Sequence, residues 1–368
     1  MCELHDINNE EEEGMKDYNK IAGCLLGGAA GDALGYAIEF DDEKTIFSKY
    51  GESGIQKFDL DFNSGEAIIS DDTQMTLFTA EGILLADDPY VYKDFINGVF
   101  EAYQDWYRTQ MFGMNSSKKI WLSDIPELNQ RRAPGNTCLS ALGSGKFGGI
   151  DEAINNSKGC GGVMRVAPIG LFYSQDKLSI DVIDQFGASA AALTHGHPMG
   201  YISAAGLVHI VNLAVNKPEM TLKEIVDDMI EKVPALFIDE AAGFCVKFQD
   251  LMRKAVKLAM ETDINDLDAI HQLGEGWVGE ETLAIAIYCA LCHEDDFDKA
   301  LTASVNHKGD SDSTGSVTGN ILGAYLGLQA IPEKYLKNLE LRETIIRVAE
   351  ELVSRKHGKE KKNDNYLQ

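Results

Sequence analysis

The sequence is poor in proline, in aromatic residues and in positive charge. Of its 368 residues, 8 are proline and 8% are aromatic. Because proline interrupts helices, its scarcity permits helical structure along most of the chain. Lys and Arg number 33 against 59 Asp and Glu, which gives a net charge of −26. Such an excess repels nucleic-acid phosphates, so no nucleic-acid partner is expected, and it suits a protein whose carboxylates hold cations.

The sequence also has few long apolar runs. The segment 21–38 is 18 residues long, but it contains Asp32 and is followed by further acidic residues. A membrane span tolerates such a carboxylate badly, so we interpret the segment as a buried core helix and expect no membrane partner. Seven cysteines, an odd number, indicate reduced thiols and a cytoplasmic protein. The N-terminus lacks the basic start and apolar core of a secretory signal.

Helical periodicity recurs along the chain between residues 18 and 352. It predicts helices over 73–85, 186–213, 222–230, 244–260, 280–292, 297–305 and 341–353. Segments rich in Gly, Ser and Asn at 135–149 and 155–162 predict loops long enough to carry function. We therefore expect one compact all-α domain over residues 18–354, with an acidic flexible arm at 1–17 and a polar tail at 355–368.

Two glycine stripes stand out within predicted helices. Gly recurs every four residues at 23, 27, 31 and 35, and again at 315, 319, 323 and 327. Residues four apart lie on one helix face, and each glycine costs a helix up to about 1 kcal/mol. The stripes therefore predict close helix–helix packing at the centre of the domain.

Two acidic clusters directly precede apolar helices. The first is Ser70-Asp71-Asp72-Thr73, and the second runs from Asp310 to Thr314. Helix capping explains one or two such residues, but each cluster has two carboxylates with no cation among them. A hard ion bound by oxygen ligands (Mg²⁺, Mn²⁺ or Ca²⁺) is the other interpretation. Chemistry alone leaves both open. Glu39, at the end of the first glycine-stripe helix, is misplaced for the helix dipole and so hints at a role.

Seven motifs follow one another over roughly residues 18–328. They read GCLLGGAAGDALGYAIEF, SDDTQMTLFTAEGIL, RRAPGNTCLSAL, NNSKGCGGVMRVAPIGL, ALTHGHPMGYISAAGLV, GEGWVGEETLAIAIYCAL and NHKGDSDSTGSVTGNILGAYLG. In this order they resemble the ADP-ribosylglycohydrolase family, and RAPGNT and GxGWVxEE resemble its bacterial branch in particular. The family includes dinitrogenase reductase-activating glycohydrolases, ADP-ribosyl-acceptor hydrolases and immunity proteins against ADP-ribosylating toxins.

The resemblance implies an all-α, orthogonally packed single domain with a binuclear Mg²⁺ or Mn²⁺ centre. The positions that match the family's metal ligands are Ser70, Asp71, Asp72, Asp310, Asp312 and Ser313. The family often has threonine at the two serine positions, and serine keeps the ligating hydroxyl. Glu39 matches a flexible glutamate near the metals that gates substrate entry.

The resemblance also implies a site for ADP-ribose. The segment 156–162 matches the diphosphate-binding loop, although some relatives have asparagine where this chain has Cys160. His195 matches a histidine lining the ribose-phosphate pocket, and Val278 matches a pocket wall. The predicted substrate-binding residues are Asn136, Thr137, Asn156, Ser157, Lys158, Gly159, Cys160, Gly161, Gly162, His195 and Val278.

The activity implied is metal-dependent removal of ADP-ribose from a modified protein side chain. Arginine is the expected attachment point, so the partners are an ADP-ribosylated protein, the product ADP-ribose and a cognate ADP-ribosyltransferase toxin. Asp71, Asp72 and Glu39 are the candidate catalytic carboxylates. The alternatives are hydrolysis of O-linked serine ADP-ribose or O-acetyl-ADP-ribose, and a non-catalytic protein that binds ADP-ribose or a toxin.

Overall fold

The fold of this chain is built from α-helices. The computed structural model of the protein describes residues 2–113 and 120–358, with residues 2–13 described by their backbone alone. Those ranges contain fifteen α-helices and no β-strand, apart from isolated bridges that join Ala67 to Leu339 and Gly159 to Val278. The all-α prediction is confirmed. The helices are α1 (Cys2–Tyr36), α2 (Glu43–Tyr50), α3 (Asp71–Leu85), α4 (Tyr92–Phe112), α5 (Asn136–Gly143), α6 (Ala167–Phe172), α7 (Ile180–Ala192), α8 (Pro198–Asn216), α9 (Leu222–Ala235), α10 (Ile238–Ala259), α11 (Asp266–Leu273), α12 (Gly279–Cys292), α13 (Phe297–Val305), α14 (Ser311–Leu326) and α15 (Arg342–Lys356).

The centre of the fold is a direct backbone contact between α1 and α14. A Cβ atom on Gly27 would lie 2.5 Å from the carbonyl oxygen of Gly319, and one on Gly319 would lie 2.0 Å from that of Gly27. A Cβ on Gly31 would likewise lie 2.0 Å from the carbonyl oxygen of Gly315. No side chain fits at such distances, so the glycine stripes are the packing surface that the sequence predicted. The seam brings the C-terminal end of α1 to the N-terminal end of α14.

Three helices around this seam are buried along almost their whole length. They are α3, α8 and α12, whose side chains face other helices on nearly every side. Within the described ranges, α8 is the one helix long and apolar enough to cross a membrane, and most of it is buried inside the protein. That burial is the pattern of a core helix.

The helix predicted over 186–213 is wrong at one point, because the chain breaks it into α7 and α8. α7 ends at Ala192 and α8 begins at Pro198. The Nδ1 atom of His197 accepts a hydrogen bond from the backbone N–H of Met199 (3.1 Å) and caps α8. Pro198 occupies the first turn, where a missing N–H is harmless. The break places His195 in a loop instead of on a helix face.

Two further boundaries differ from the sequence prediction. Part of the loop predicted over 135–149 is the helix α5, which begins directly after Gly135. Helix α1 ends at Tyr36, so Glu39 lies in the turn that follows and not on the helix itself. The loop at 155–162 is confirmed, with a short 3₁₀ turn at Cys160–Gly162.

The predicted limits of the domain, at residues 18 and 354, remain predictions. The backbone of α1 begins at Cys2, within the expected acidic arm, and α15 continues to Lys356. Residues 359–368 of the expected polar tail lie outside the described residues. The six cysteines whose side chains are described are free thiols, in agreement with the odd count.

Candidate active site

The first acidic cluster opens helix α3. The hydroxyl of Ser70 accepts a hydrogen bond from the backbone N–H of Asp72 (3.2 Å), which is an ordinary N-cap. One carboxylate oxygen of Asp71 accepts from the backbone N–H of Gly135 (3.0 Å), so the start of α5 lies beside this cluster. All three side chains are buried. Capping therefore accounts for Ser70, but not for the two carboxylates.

Asp32 holds this cluster in place from a neighbouring helix. Its carboxylate accepts hydrogen bonds from the backbone N–H of Ser70 (2.9 and 3.1 Å) and from that of Thr73 (3.0 Å). It also accepts the hydroxyl of Thr73. Sequence reasoning did not assign Asp32 to the site. The signal was a single acid in the otherwise apolar segment 21–38, and its partners lie some 40 residues away in the chain.

The second acidic cluster opens helix α14 and meets Glu39. Ligand atoms of Glu39, Asp310 and Asp312 all lie within 4.8 Å of one another, and all three side chains are buried. Asp310 is the N-cap residue of α14, yet its side chain makes no capping hydrogen bond. The carboxylate of Asp312 accepts from the backbone N–H of Ser313 (2.9 Å). The three carboxylates thus converge from two helix ends on one point.

The buried carboxyl groups of the two clusters and their neighbours have raised pKa values and so resist ionisation. Burial and the neighbouring Asp312 raise the pKa of Glu39 to about 9 and that of Asp32 to about 7. Burial, again with Asp312, also raises the pKa of Asp72 and of Asp310 well above the ordinary value. Burial does the same to the pKa of Asp71. Carboxylates packed in this way need a cation before all can be charged.

Carboxylate oxygens without hydrogen-bond partners indicate whether a metal ion would fit between the two acidic clusters. Glu39 Oε2, Asp72 Oδ1 and Asp310 Oδ2 are buried without a hydrogen-bond partner among the described residues. Buried acceptors without partners are costly, and oxygen donors are the ligands that Mg²⁺ and Mn²⁺ prefer. The predicted ligands therefore fit a hard divalent cation. Capping, the competing interpretation, leaves these three oxygens unexplained.

The predicted diphosphate loop lies over the second cluster. Backbone hydrogen bonds fasten it to the start of α12, from Gly279 N–H to Lys158 C=O (2.8 Å) and from Cys160 N–H to Trp277 C=O (3.2 Å). These contacts place Val278 against Gly159. The thiol of Cys160 lies beside the carboxylate of Asp310. The glycine loop, the pocket-wall residue and the acidic centre thus adjoin one another.

Lys158 and Glu280 add an ion pair to the same corner. The ammonium group of Lys158 contacts one carboxylate oxygen of Glu280, while the other oxygen has no hydrogen-bond partner among the described residues. Thr137, in the first turn of α5, makes a hydroxyl contact of 3.1 Å with Ser157. Asn136 is the first residue of α5. The predicted substrate residues on α5 and on the glycine loop are therefore neighbours, although their contact with a ligand stays a prediction.

His195 lies beneath the glycine loop. A Cβ atom on Gly159 would lie 3.4 Å from its Nε2 atom, and one on Gly161 would lie 3.3 Å from it. Burial and the charge of Arg165 lower the pKa of His195 to about 3, so the imidazole is neutral. Arg165 itself is fully buried and was not predicted as part of the site. Its position four residues beyond Gly161, in an apolar run, is the signal that could have found it.

A separate group of potential ligands lies at the far end of α12. Asp266, Cys292 and His293 bring donor atoms within 4.8 Å of one another. His293 follows the last residue of α12 and contacts both carboxylate oxygens of Asp266 (3.1 and 3.2 Å). This ion pair ties α11 to α12 and explains the group without a metal.

The fold and the site together define a class: all-α proteins with a buried polycarboxylate centre beside a glycine loop. A family model described as ADP-ribosylglycohydrolase matches residues 13–362. The chain therefore belongs to the ADP-ribosylglycohydrolase family, and the resemblance found in the sequence is confirmed.

Relatives match over most of the chain. ADP-ribosylhydrolase ARH3 of Mus musculus is 26% identical, covering 88% of this chain and 88% of the relative. ADP-ribosylarginine hydrolase Tri1 of Serratia proteamaculans is 28% identical, covering 91% of this chain and 79% of the relative. A solved structure of an ADP-ribosylglycohydrolase-related protein complex shares the fold, with a TM-score of 0.61 and 22% identity over 93% of this chain and 99% of that chain.

Proposed function

We propose that this protein is a metal-dependent hydrolase that removes ADP-ribose from arginine side chains of modified proteins. The observation that carries the proposal is the convergence of Glu39, Asp310 and Asp312 within 4.8 Å, buried and beside a glycine loop. Family membership supports ADP-ribose as the group removed. The relative Tri1, which is named as an ADP-ribosylarginine hydrolase, supports arginine as the attachment point.

Two divalent cations are proposed to neutralise this centre. Ser70, Asp71 and Asp72 on one side and Asp310, Asp312 and Ser313 on the other supply oxygen donors of the type that Mg²⁺ and Mn²⁺ bind. When bound, the ions would supply Lewis acidity that lowers the pKa of an attacking water.

The chain's own carboxylates then have two tasks. One accepts a proton from the water as its oxygen attacks the anomeric carbon and the bond from that carbon to the arginine nitrogen breaks. The released guanidine takes up a proton, so ADP-ribose and arginine result. Glu39 is the best-placed base because it lies in a turn and keeps one oxygen without a hydrogen-bond partner in the described part of the chain. The second task is electrostatic, since negative charge nearby stabilises the positive charge that develops on the sugar.

The glycine loop and its neighbours are proposed to bind the rest of ADP-ribose. Small residues at 159–162 let the backbone approach a diphosphate closely, and His195 lies directly beneath them. All six predicted metal positions retain an oxygen donor. This complete set argues against the non-catalytic alternative. The cytoplasmic location, supported by the free thiols, is proposed with the function, and the toxin partner stays a prediction.

The deciding experiment measures release of ADP-ribose from an arginine-ADP-ribosylated protein by the full-length chain. Parallel reactions contain Mg²⁺, Mn²⁺ or a chelator, and a second series uses a serine-linked substrate. We expect release from the arginine substrate with metal and none with chelator. Asp312→Asn should abolish it, whereas the exposed Asp250→Asn should not. Release from the serine substrate alone would show that the enzyme cleaves the serine linkage instead of the arginine linkage. No release from either substrate would refute the proposed function.

A further inference from the structure

The buried guanidinium of Arg165 is bonded to the residue that precedes His195. One of its terminal nitrogens donates to the hydroxyl of Thr194 (2.6 Å) and to the carbonyl of Ala190 (3.1 Å). The other contacts the thiol of Cys138 (3.3 Å), and the group lies 4.4 Å from the ring centre of Tyr103. No carboxylate pairs with Arg165 among the described residues. Burying a cation without an ion pair is costly, so a functional role is the reason we consider for Arg165 at this position.

Counting donors and acceptors fixes the direction of the next hydrogen bond. The Thr194 hydroxyl has one proton, and it already accepts a bond from Arg165. The carbonyl of Ala191 lies 3.5 Å away and already accepts from the N–H groups of Thr194 (3.1 Å) and His195 (2.9 Å). The Nδ1 atom of His195 lies at 2.8 Å. The nearby thiol of Cys138 is a much weaker acceptor than an imidazole nitrogen, so the hydroxyl proton points to Nδ1.

We propose that Arg165 and Thr194 are positioning residues that hold His195 in its Nε2–H tautomer, aimed at a phosphate oxygen in the glycine loop. With Nδ1 accepting from Thr194, the single proton of a neutral imidazole must lie on Nε2. That atom lies between Gly159 and Gly161 and has no protein partner among the described residues. The hydrogen bonds from Arg165 to Thr194 and from Thr194 to His195 thus present one donor, the Nε2–H group, at the glycine loop.

The inference rests on the proposed function for the identity of its ligand, the diphosphate of ADP-ribose. A neutral N–H donor is sufficient here, because its hydrogen bond to a charged phosphate oxygen is stronger than a hydrogen bond between two neutral groups. With its pKa lowered to about 3 by burial and by the charge of Arg165, His195 stays neutral throughout the physiological pH range. Arg165 touches none of the proposed metal ligands, so its task concerns the position of the histidine.

The test reads the tautomer directly by ¹⁵N NMR of the imidazole groups in the full-length, ligand-free protein. His195→Gln assigns the signal, and we expect a protonated Nε2 with an unprotonated Nδ1. The substitution Thr194→Val removes the hydroxyl and keeps nearly the same side-chain volume. We expect a mixed or reversed tautomer and about tenfold weaker binding of ADP-ribose by calorimetry, the effect of one misdirected hydrogen bond. Thr194→Ser should restore both.

The control is Thr318→Val, which removes a buried hydroxyl bonded only to a backbone carbonyl of α14. It should leave the tautomer and the affinity unchanged. A protonated Nδ1 in the wild-type protein would overturn the inference, as would a Thr194→Val variant that keeps both the tautomer and the affinity. Because the tautomer is read without ligand, failure of the proposed function is a separate result, seen as an absence of ADP-ribose binding or release.

Discussion

Asp32 on α1 caps helix α3 through Thr73, which lies 41 residues further along the chain. Its carboxylate accepts the backbone N–H of Thr73 at 3.0 Å and the hydroxyl of the same residue. Helices are usually capped by the residue that directly precedes them, and Ser70 caps α3 in this way. Helix α3 has in addition a second cap, Asp32, which belongs to another helix. The position of the first acidic cluster therefore depends on α1.

Asp32→Ala should destabilise the protein by about 2 kcal/mol, because the backbone N–H groups of Ser70 and Thr73 would lose a buried acceptor. Relief of repulsion with Asp312 offsets part of a larger loss. The free energy of unfolding in urea, measured with chelator, tests this. The control is Asp42→Ala, which removes the exposed N-cap of α2 (2.8 Å to Thr45 N–H) and should cost less. Equal losses would contradict the dual-cap interpretation.

Gly319→Ala should disrupt the α1–α14 seam. The added methyl would lie 2.0 Å from the carbonyl oxygen of Gly27, and backbone cannot yield as a side chain can. We expect a loss of several kcal/mol, or no folded protein, on the order of the larger overpacking costs. Gly243→Ala on α10 is the matched control, since nothing lies within 4 Å of its added Cβ. Its stability should equal or slightly exceed that of the wild type. Thermal unfolding of both variants decides the matter.

The buried imidazole of His209 makes stability depend on pH. Its ring nitrogens contact Asp184 (2.7 Å) and Asp228 (3.0 Å). Burial alone would lower the pKa of His209, but these two hydrogen bonds outweigh it and raise the pKa to about 9. The stabilisation is complete below the unfolded value of 6.5 and is lost as the pH rises through about 9.

We therefore expect His209 to contribute about 2–3 kcal/mol to the fall in the free energy of unfolding between these two pH values. Asp32 and Glu39, with pKa values raised to about 7 and about 9, and His293, with its pKa raised to about 10, add their own declines in this range. His209→Gln should therefore reduce the total decline by about 2–3 kcal/mol, whereas His271→Gln, at an exposed contact with Glu43, should leave it unchanged. An unchanged decline in His209→Gln would contradict this contribution.

Asp312→Asn should have opposite effects on the stability of the protein without and with metal. Removing one of several repelling buried carboxylates should leave the chelator-treated protein at least as stable as the wild type. The wild type should gain about 2.7 kcal/mol when Mg²⁺ or Mn²⁺ is supplied at 100 times its Kd, and the variant should gain little. Scanning calorimetry with chelator and with each ion measures both. A variant that gains as much as the wild type would remove Asp312 from the ligand set.

Local rules predicted the parts of the site but not their assembly. Ser70 and Asp310 stand directly before apolar helices, so both helix starts could be recognised from the sequence. That the two starts lie together depends on the seam between α1 and α14, and only the family resemblance implied it. The break at Gly196 and Pro198 was missed because helical periodicity continues on both sides of it.

The residues that sequence reasoning missed share one property. Asp32, Arg165 and His209 are polar residues inside apolar helices or runs, and each is buried with partners at least 19 residues away in the sequence. A local pattern shows that such a residue is unusual, but it cannot show what it contacts. Those contacts become visible only when the tertiary fold is known.

The seam between α1 and α14 also constrains when the site can form. Gly27 and Gly319 are roughly 290 residues apart, and contacts of such separation form slowly because a long loop must close first. A ribosome that adds about 5–20 residues per second needs tens of seconds to deliver the second partner after the first. During that interval the carboxylates of α3 have no counterpart, so the centre cannot form before α14 has been synthesised.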